Sequence, residues 1–156
     1  MDTNFDDINY EKHNYSPYKA YSRSKLANIL FTKELARRLE GKDVKVYALC
    51  PGRVKTDALR HIEAAHPYLA RMSDKLREWF SRTPEQGAQT TIHCAVDEKT
   101  ANETGLYYSD CKIKEPSREA QNPELAKQLW QLSVDRVKLG DFDPFTTEDK
   151  NLKAKN

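Results

Sequence analysis

Glycine is scarce in this chain, and its distribution excludes one class of nucleotide site. The 156 residues contain five glycines, and the two nearest, Gly41 and Gly52, are eleven positions apart. Phosphate-cradling turns such as GxGxxG and GxxxxGK[ST] need closely spaced glycines, because the backbone must approach the phosphate in a tight bend. The sequence therefore contains no such turn.

Cysteine clusters and long apolar runs are also missing. The three cysteines (Cys50, Cys94 and Cys111) are far apart and form no CxxC pair, which favours a reducing compartment over a disulfide framework. The four histidines show no HExxH spacing, so we predict no metal site. No run approaches about 20 apolar residues, and the first residues, MDTNFDDINYE, do not resemble a signal peptide, so the chain alone predicts a cytoplasmic protein without a membrane segment.

An excess of charge of one sign is absent as well. Lys and Arg total 26 against 24 Asp and Glu, which gives a net charge of +2 with both signs interspersed. Binding to nucleic acid or an anionic membrane requires a concentrated basic surface. The charge pattern therefore predicts neither partner.

The segments that remain predict alternating helices and strands. Helix formers without internal Gly or Pro predict a helix over residues 18–40, with Gly41 as the first residue beyond its cap. The β-rich run 44–49 predicts a buried strand that ends at Pro51-Gly52, and residues 105–109 predict a second strand. Together these elements indicate an α/β fold.

Three further helices are predicted from caps and apolar spacing. One lies around residues 73–80. The second begins at Thr83-Pro84-Glu85-Gln86, where Thr and Gln can form a capping box, and runs to Val96. The third begins at Asn122-Pro123 and runs towards Gly140, with a stripe formed by Leu125, Leu129, Trp130 and Leu132.

A Tyr and a Lys four residues apart on the first predicted helix form the main chemical motif. Helical spacing places the side chains of Tyr21 and Lys25 on one face, and an adjacent ammonium favours a phenolate, so the pair suits proton transfer. The same spacing occurs at Tyr15/Lys19, which Pro17 interrupts, and at Tyr108/Lys112, which follows a strand rather than lying in a helix. Only Tyr21/Lys25 lies within a sustained helix.

The loop after the first predicted strand is the second motif. Ligands of open α/β sheets bind at the carboxyl ends of strands, where the sequence Pro51-Gly52-Arg53-Val54-Lys55-Thr56 follows. Gly52 permits close approach, backbone groups near Pro51 and Val54 can bond an amide, and the Thr56 hydroxyl can reach a phosphate oxygen. We expect this loop and the Tyr21/Lys25 pair to serve one ligand.

With YSRSK at 21–25, SKLANILFTKELARRLEG at 24–41 and PGRVKT at 51–56, the chain resembles the C-terminal half of short-chain dehydrogenases/reductases. EQGAQT at 85–90 and GLYYSDC at 105–111 make it most similar to the retinol dehydrogenase-like branch. The resemblance implies the C-terminal half of a Rossmann-like, doubly wound parallel sheet that is incomplete on its own. Residues 1–17 would be a loop or truncated end, 18–140 the family domain and 141–156 a charged tail.

The resemblance also implies roles for individual residues. Tyr21 would be the general acid/base that exchanges a proton with the substrate oxygen, and Lys25 would lower the Tyr21 pKa and bond the nicotinamide ribose. Pro51, Gly52, Val54 and Thr56 would hold the cofactor. The expected activity is interconversion of a lipophilic alcohol and carbonyl with NADP or NAD, NADP being slightly favoured, in a possible homodimer.

Several family features have no counterpart in the sequence. The family's TGxxxGxG turn, its NNAG segment, the residue that selects NAD or NADP and the catalytic Ser would all lie before residue 1. Ser16, Ser22 and Ser24 are too close to Tyr21 to serve as that Ser. The alternatives are a fragment of a longer enzyme, which an anchor in the preceding half could attach to a membrane, or a truncated, non-catalytic remnant that acts by association.

Overall fold

A computed structural model describes residue 5 and residues 7–54 and 81–139 of the chain. The structure divides into two compact units, the first made of Met1–Val46 with Pro116–Asn156 and the second of Tyr47–Glu115. The predicted helix at 73–80, Thr56 and the predicted tail at 141–156 lie outside the described residues.

The first unit is built on the long helix α1, Pro17–Arg38, which confirms the predicted helix. Pro17 is its first residue, where a missing N–H costs nothing because the first turn has no intrahelical acceptor for it. Leu39 caps the far end, so Gly41 is the second residue beyond the cap rather than the first, and the prediction was wrong by one position. Gly41 still adopts a left-handed φ of 78° in the turn that follows.

The core of this unit forms where α1 meets helix α3, Pro123–Arg136. Leu26 and Leu30 lie one turn apart on α1 and pack with Leu129 and Ala126 of α3. The remaining buried members are Phe5 and Ala120. Leu30 is completely buried, and the predicted α3 stripe is confirmed, since Leu125 and Leu132 pack against the same cluster.

A cap predicted from sequence fixes the start of α3. The Asn122 side-chain oxygen accepts hydrogen bonds from the N–H groups of Glu124 (2.9 Å) and Leu125 (3.2 Å). Two of the unpaired N–H groups of the first turn are thereby satisfied. The helix ends at Arg136, one turn earlier than the predicted end near Gly140.

The second unit contains a three-stranded sheet in the order β1-β2-β3. Strand β1, Tyr47–Cys50, runs parallel to β2, Leu106–Ser109, with Tyr47 paired to Leu106. β1 begins three residues later and ends one residue later than predicted. This mixed α/β architecture is consistent with part of a Rossmann-like fold, since parallel neighbours need a crossover and a helix lies between them in sequence.

A short third strand was not predicted. Strand β3, Lys112–Ile113, pairs antiparallel with β2 through a two-residue turn at Asp110 and Cys111, whose φ values are 58° and 56°. Two successive left-handed residues match the turn geometry that tight hairpins favour. The sequence signal was weak because neither residue is the glycine that usually occupies such a turn.

Helix α2, Pro84–Val96, packs on this sheet and begins with the predicted capping box. The Thr83 side chain accepts from Gln86 N–H (3.2 Å), and the Gln86 side chain accepts from Thr83 N–H (3.0 Å). Gly87, Thr90 and Cys94 recur at helical spacing and form its buried face. The reciprocal hydrogen bonds of the capping box fix Pro84 as the first residue of α2.

Candidate functional site

The structure places Tyr21 and Lys25 side by side on α1. The Lys25 ammonium nitrogen lies 5.2 Å from the centre of the Tyr21 ring. Tyr21 is 63% exposed and Lys25 is also exposed, so both groups are accessible. The geometry follows from one helical turn, which brings residues i and i+4 together.

The other two Tyr/Lys spacings do not form such a pair. Tyr15 precedes the first residue of α1, and its ring meets that of Tyr10 edge-on, with 5.2 Å between ring centres. Tyr108 belongs to β2 and Lys112 to β3, so these residues lie in a hairpin. The prediction that only Tyr21/Lys25 occupies a helix is confirmed.

The loop after β1 begins at the carboxyl end of the strand. Pro51 is exposed, and Gly52 adopts a φ of 79°, a left-handed conformation that disfavours any side chain. The Gly52 N–H donates to the Cys50 sulfur at 3.4 Å. Pro51, Gly52 and Val54 thus lie in one bend at the strand end, where Pro51 is exposed and the other two are half-buried.

Arg82 holds this loop and was missed by the sequence analysis. Its backbone N–H donates to the Arg53 carbonyl at 2.8 Å, and its Nη1 donates to the Pro51 carbonyl at 3.4 Å. Its Nη2 pairs with the carboxylate of Asp110 in the β2–β3 turn. A basic residue directly before a capping box carries no recognisable sequence signal, because its partners lie about 30 positions away.

Gly87 is a second missed residue of the same loop environment. A Cβ built on Gly87 would overlap the Cγ2 methyl of Val54 and lie 3.2 Å from its Cγ1. Only glycine therefore allows α2 to approach Val54 so closely. A signal was present in this case, since glycine is unfavourable in the first turns of a helix unless packing requires it.

Charge and burial shift the pKa values of several groups in this unit, among them Asp110, Cys94 and Tyr107. The Arg82 guanidinium, hydrogen-bonded to Asp110, lowers the pKa of that carboxyl. Burial raises the pKa of the Cys94 thiol. Burial first, and then the nearby Cys50 thiol, raise the pKa of Tyr107. Of these three groups, only the Asp110 carboxylate contacts Arg82, the residue that bonds to the loop after β1.

Neither a metal-binding cluster nor a membrane-spanning helix occurs in the part of the chain that the structure describes. Residues 5, 7–54 and 81–139 contain no cluster of His, Cys, Asp or Glu suited to a metal ion. Within the same part of the chain, no helix combines the length and apolarity needed to cross a membrane.

Comparison with known proteins identifies the family. Residues 8–105 match the family model described as enoyl-(acyl carrier protein) reductase, which covers more than half of the chain and includes the α1 pair and the loop after β1. The chain belongs to the short-chain dehydrogenase/reductase family. The resemblance found in the sequence motifs is confirmed.

Within the short-chain dehydrogenase/reductase family, the curated relatives carry one recurrent name. The chain is 47% identical over 133 residues to human retinol dehydrogenase 14, covering 85% of this chain and 39% of that protein. It is 42% identical over 125 residues to human retinol dehydrogenase 11, covering 80% of this chain and 38% of that protein. The chain thus spans about two-fifths of the length of these relatives.

A solved structure agrees with this family fold. The crystal structure of an uncharacterized protein from Mycobacterium paratuberculosis superposes with a TM-score of 0.62 at 28% identity. The match covers 87% of this chain and 45% of that one. The arrangement of elements is therefore shared well beyond the short motifs.

Proposed function

We propose that this chain supplies the acid/base pair and the nicotinamide-binding loop of an NAD(P)-dependent oxidoreductase that interconverts a lipophilic alcohol and a carbonyl. The observation that carries the proposal is the adjacency of Tyr21 and Lys25 on an exposed face of α1 in a member of this family. The lipophilic substrate class is suggested by relatives named retinol dehydrogenase.

The proposed chemical role of Tyr21 is proton exchange with the substrate oxygen. During reduction its hydroxyl donates a proton to the carbonyl oxygen, and during oxidation its oxygen accepts the proton of the alcohol. The Lys25 ammonium, 5.2 Å from the ring centre, stabilises the negative charge that develops on the phenol oxygen as the proton leaves. Lys25 also presents hydrogen-bond donors suited to the hydroxyls of the nicotinamide ribose.

The loop after β1 fits the nicotinamide end of the cofactor. Gly52, with its left-handed φ of 79°, carries no side chain of its own at the backbone bend where an amide can bond. In the proposal Pro51, Gly52, Val54 and Thr56 hold this end, with NADP favoured slightly over NAD. When bound in its reduced form, the cofactor supplies the hydride that reaches the carbonyl carbon.

The organisation of the chain follows from the same proposal. Residues 18–140 would form the C-terminal part of the family domain, preceded by the loop 1–17 and followed by the charged tail 141–156. Homodimer formation and membrane association stay predictions.

A chimera tests the role of Tyr21 directly. In it, this chain replaces the matching segment of human retinol dehydrogenase 14, to which it is 47% identical. In the chimera, Tyr21→Phe is expected to lower NADPH-dependent retinal reduction by about 10²–10⁴-fold while NADPH affinity stays nearly unchanged, because the proton donor alone is removed. Tyr18→Phe is the matched control, since Tyr18 is an exposed residue of the same helix.

Two outcomes would contradict the proposal. Turnover of the Tyr21→Phe chimera equal to that of the Tyr18→Phe chimera would remove Tyr21 from the chemistry. An inactive but folded parent chimera would favour the alternative of a non-catalytic remnant. Fluorescence titration of the 156-residue chain with NADPH complements this test, because the absence of a glycine-rich turn predicts weak binding by the chain alone.

A further inference from the structure

We propose that Arg82 and Gly87 are positioning residues that fix the conformation of the loop Pro51–Val54, so that substitutions at either weaken cofactor binding more than turnover. The part of this inference that concerns the cofactor rests on the proposed function. The part that concerns the loop stands on the contacts of the second unit alone.

The side chain of Arg82 spans two elements of the second unit. One guanidinium nitrogen, Nη1, reaches the Pro51 carbonyl, and another, Nη2, pairs with Asp110 in the β2–β3 turn. The planar fork of arginine can serve both acceptors at once, whereas a lysine ammonium is a compact charge on a flexible stem. Arg82 therefore links the loop after β1 to the turn after β2.

The backbone of Arg82 also contacts the loop. Arg82 N–H donates to the Arg53 carbonyl at 2.8 Å, and Val54 pairs with Arg82 in an isolated parallel bridge. The guanidinium lies 2.9 Å from the position that a Cβ on Gly52 would occupy. The side chain and backbone of Arg82 thus contact every residue of the loop from Pro51 to Val54.

Helix α2 contacts the loop through Gly87. Gly87 is buried, and the absence of a side chain there admits the Val54 methyl groups. An alanine would force Val54 to move, and Val54 belongs to a segment whose backbone is proposed to bind the cofactor. Arg82 precedes and Gly87 follows the capping box, so one short segment contacts the loop in two places.

Hydrogen exchange of the 156-residue chain tests the loop directly. Arg82→Gln is expected to lower the protection of the residue 82 amide about tenfold, because the ties of the side chain to Pro51 and Asp110 are lost. The Lys114 amide, bonded to the Tyr107 carbonyl at 2.8 Å, is an internal reference that should not change. Arg53→Gln is the matched control for Arg82→Gln, since it removes the same charge from an exposed side chain of the loop.

Kinetics of the chimera test the consequence for the cofactor. Arg82→Gln should weaken NADPH binding about 5- to 20-fold with kcat within about twofold, and Arg82→Lys should recover part of the loss. Gly87→Ala should act in the same direction by displacing Val54. If the Gly87 variant does not fold, the Arg82 series still decides.

Each result either supports or overturns the inference. Unchanged protection at residue 82 in the Arg82→Gln variant would overturn the positioning role. Lower protection with unchanged NADPH affinity would overturn the link to the cofactor while leaving the Tyr21 test intact. Weaker NADPH binding together with a fully active Tyr21→Phe chimera would retain the positioning role and reject the proposed acid/base function.

Discussion

The two candidate groups of residues are held in different ways. Tyr21 and Lys25 owe their adjacency to one turn of α1, and both are exposed. The loop Pro51–Val54 instead depends on Arg82 and Gly87, about 30 positions later in the chain. A pair set by helical spacing tolerates change in its surroundings, whereas a loop set by remote side chains does not.

This difference also explains what the sequence could predict. The α1 pair, both confirmed caps and the parallel strand candidates depend on residues within a few positions of one another, and local patterns report such geometry. The β3 hairpin is local, but its turn lacks the glycine that usually marks such a turn. The Arg82–Asp110 ion pair and the contact of Gly87 with Val54 depend on pairings between distant segments. No pattern in a single sequence specifies those pairings.

The largest expected effect concerns the core that supports α1. Leu30→Ala should destabilise the protein by about 2–5 kcal/mol, because Leu30 is completely buried between α1 and α3 and its removal leaves a cavity. Urea denaturation measures the change, with exposed Asn28→Ala as the control on the same helix. A loss as small as that of the control would show that α1 does not depend on this packing.

A smaller effect is expected from the buried carboxylate of α1. Glu34 is 2% exposed and accepts hydrogen bonds from Arg37 (2.7 and 2.9 Å) and Arg38 (2.8 Å). Glu34→Gln should cost about 1–3 kcal/mol at neutral pH, because charge-assisted bonds weaken. Glu40→Gln, an exposed acid just beyond the helix, is the matched control.

The same carboxylate predicts a pH dependence of stability. Hydrogen bonding from Arg37 lowers the pKa of Glu34 below its usual value of 4.5. A depressed pKa stabilises the folded state above pH 4.5, and this contribution is lost as the pH falls through the lower, folded pKa. Denaturation midpoints of the parent protein should fall more steeply below pH 4.5 than those of Glu34→Gln, and parallel curves would contradict the prediction.

The smallest expected effect concerns the cap of α2, which lies between the two residues that contact the loop. Thr83→Ala removes the side chain that caps α2 between Arg82 and Gly87, and it should cost about 1 kcal/mol. Thr91→Ala, exposed on the same helix, is the control. Chemical denaturation that shows equal midpoints for the two variants would mean that the cap contributes nothing.

The capping box at Thr83 and Gln86 constrains length as well as stability. It fixes where α2 begins, and therefore the direction in which position 87 faces from the helix. Each residue of a helix turns the chain by about 100°, so one insertion after the cap would rotate position 87 away from Val54. Chains that keep these contacts are thus expected not to gain or lose a residue between the cap and position 87.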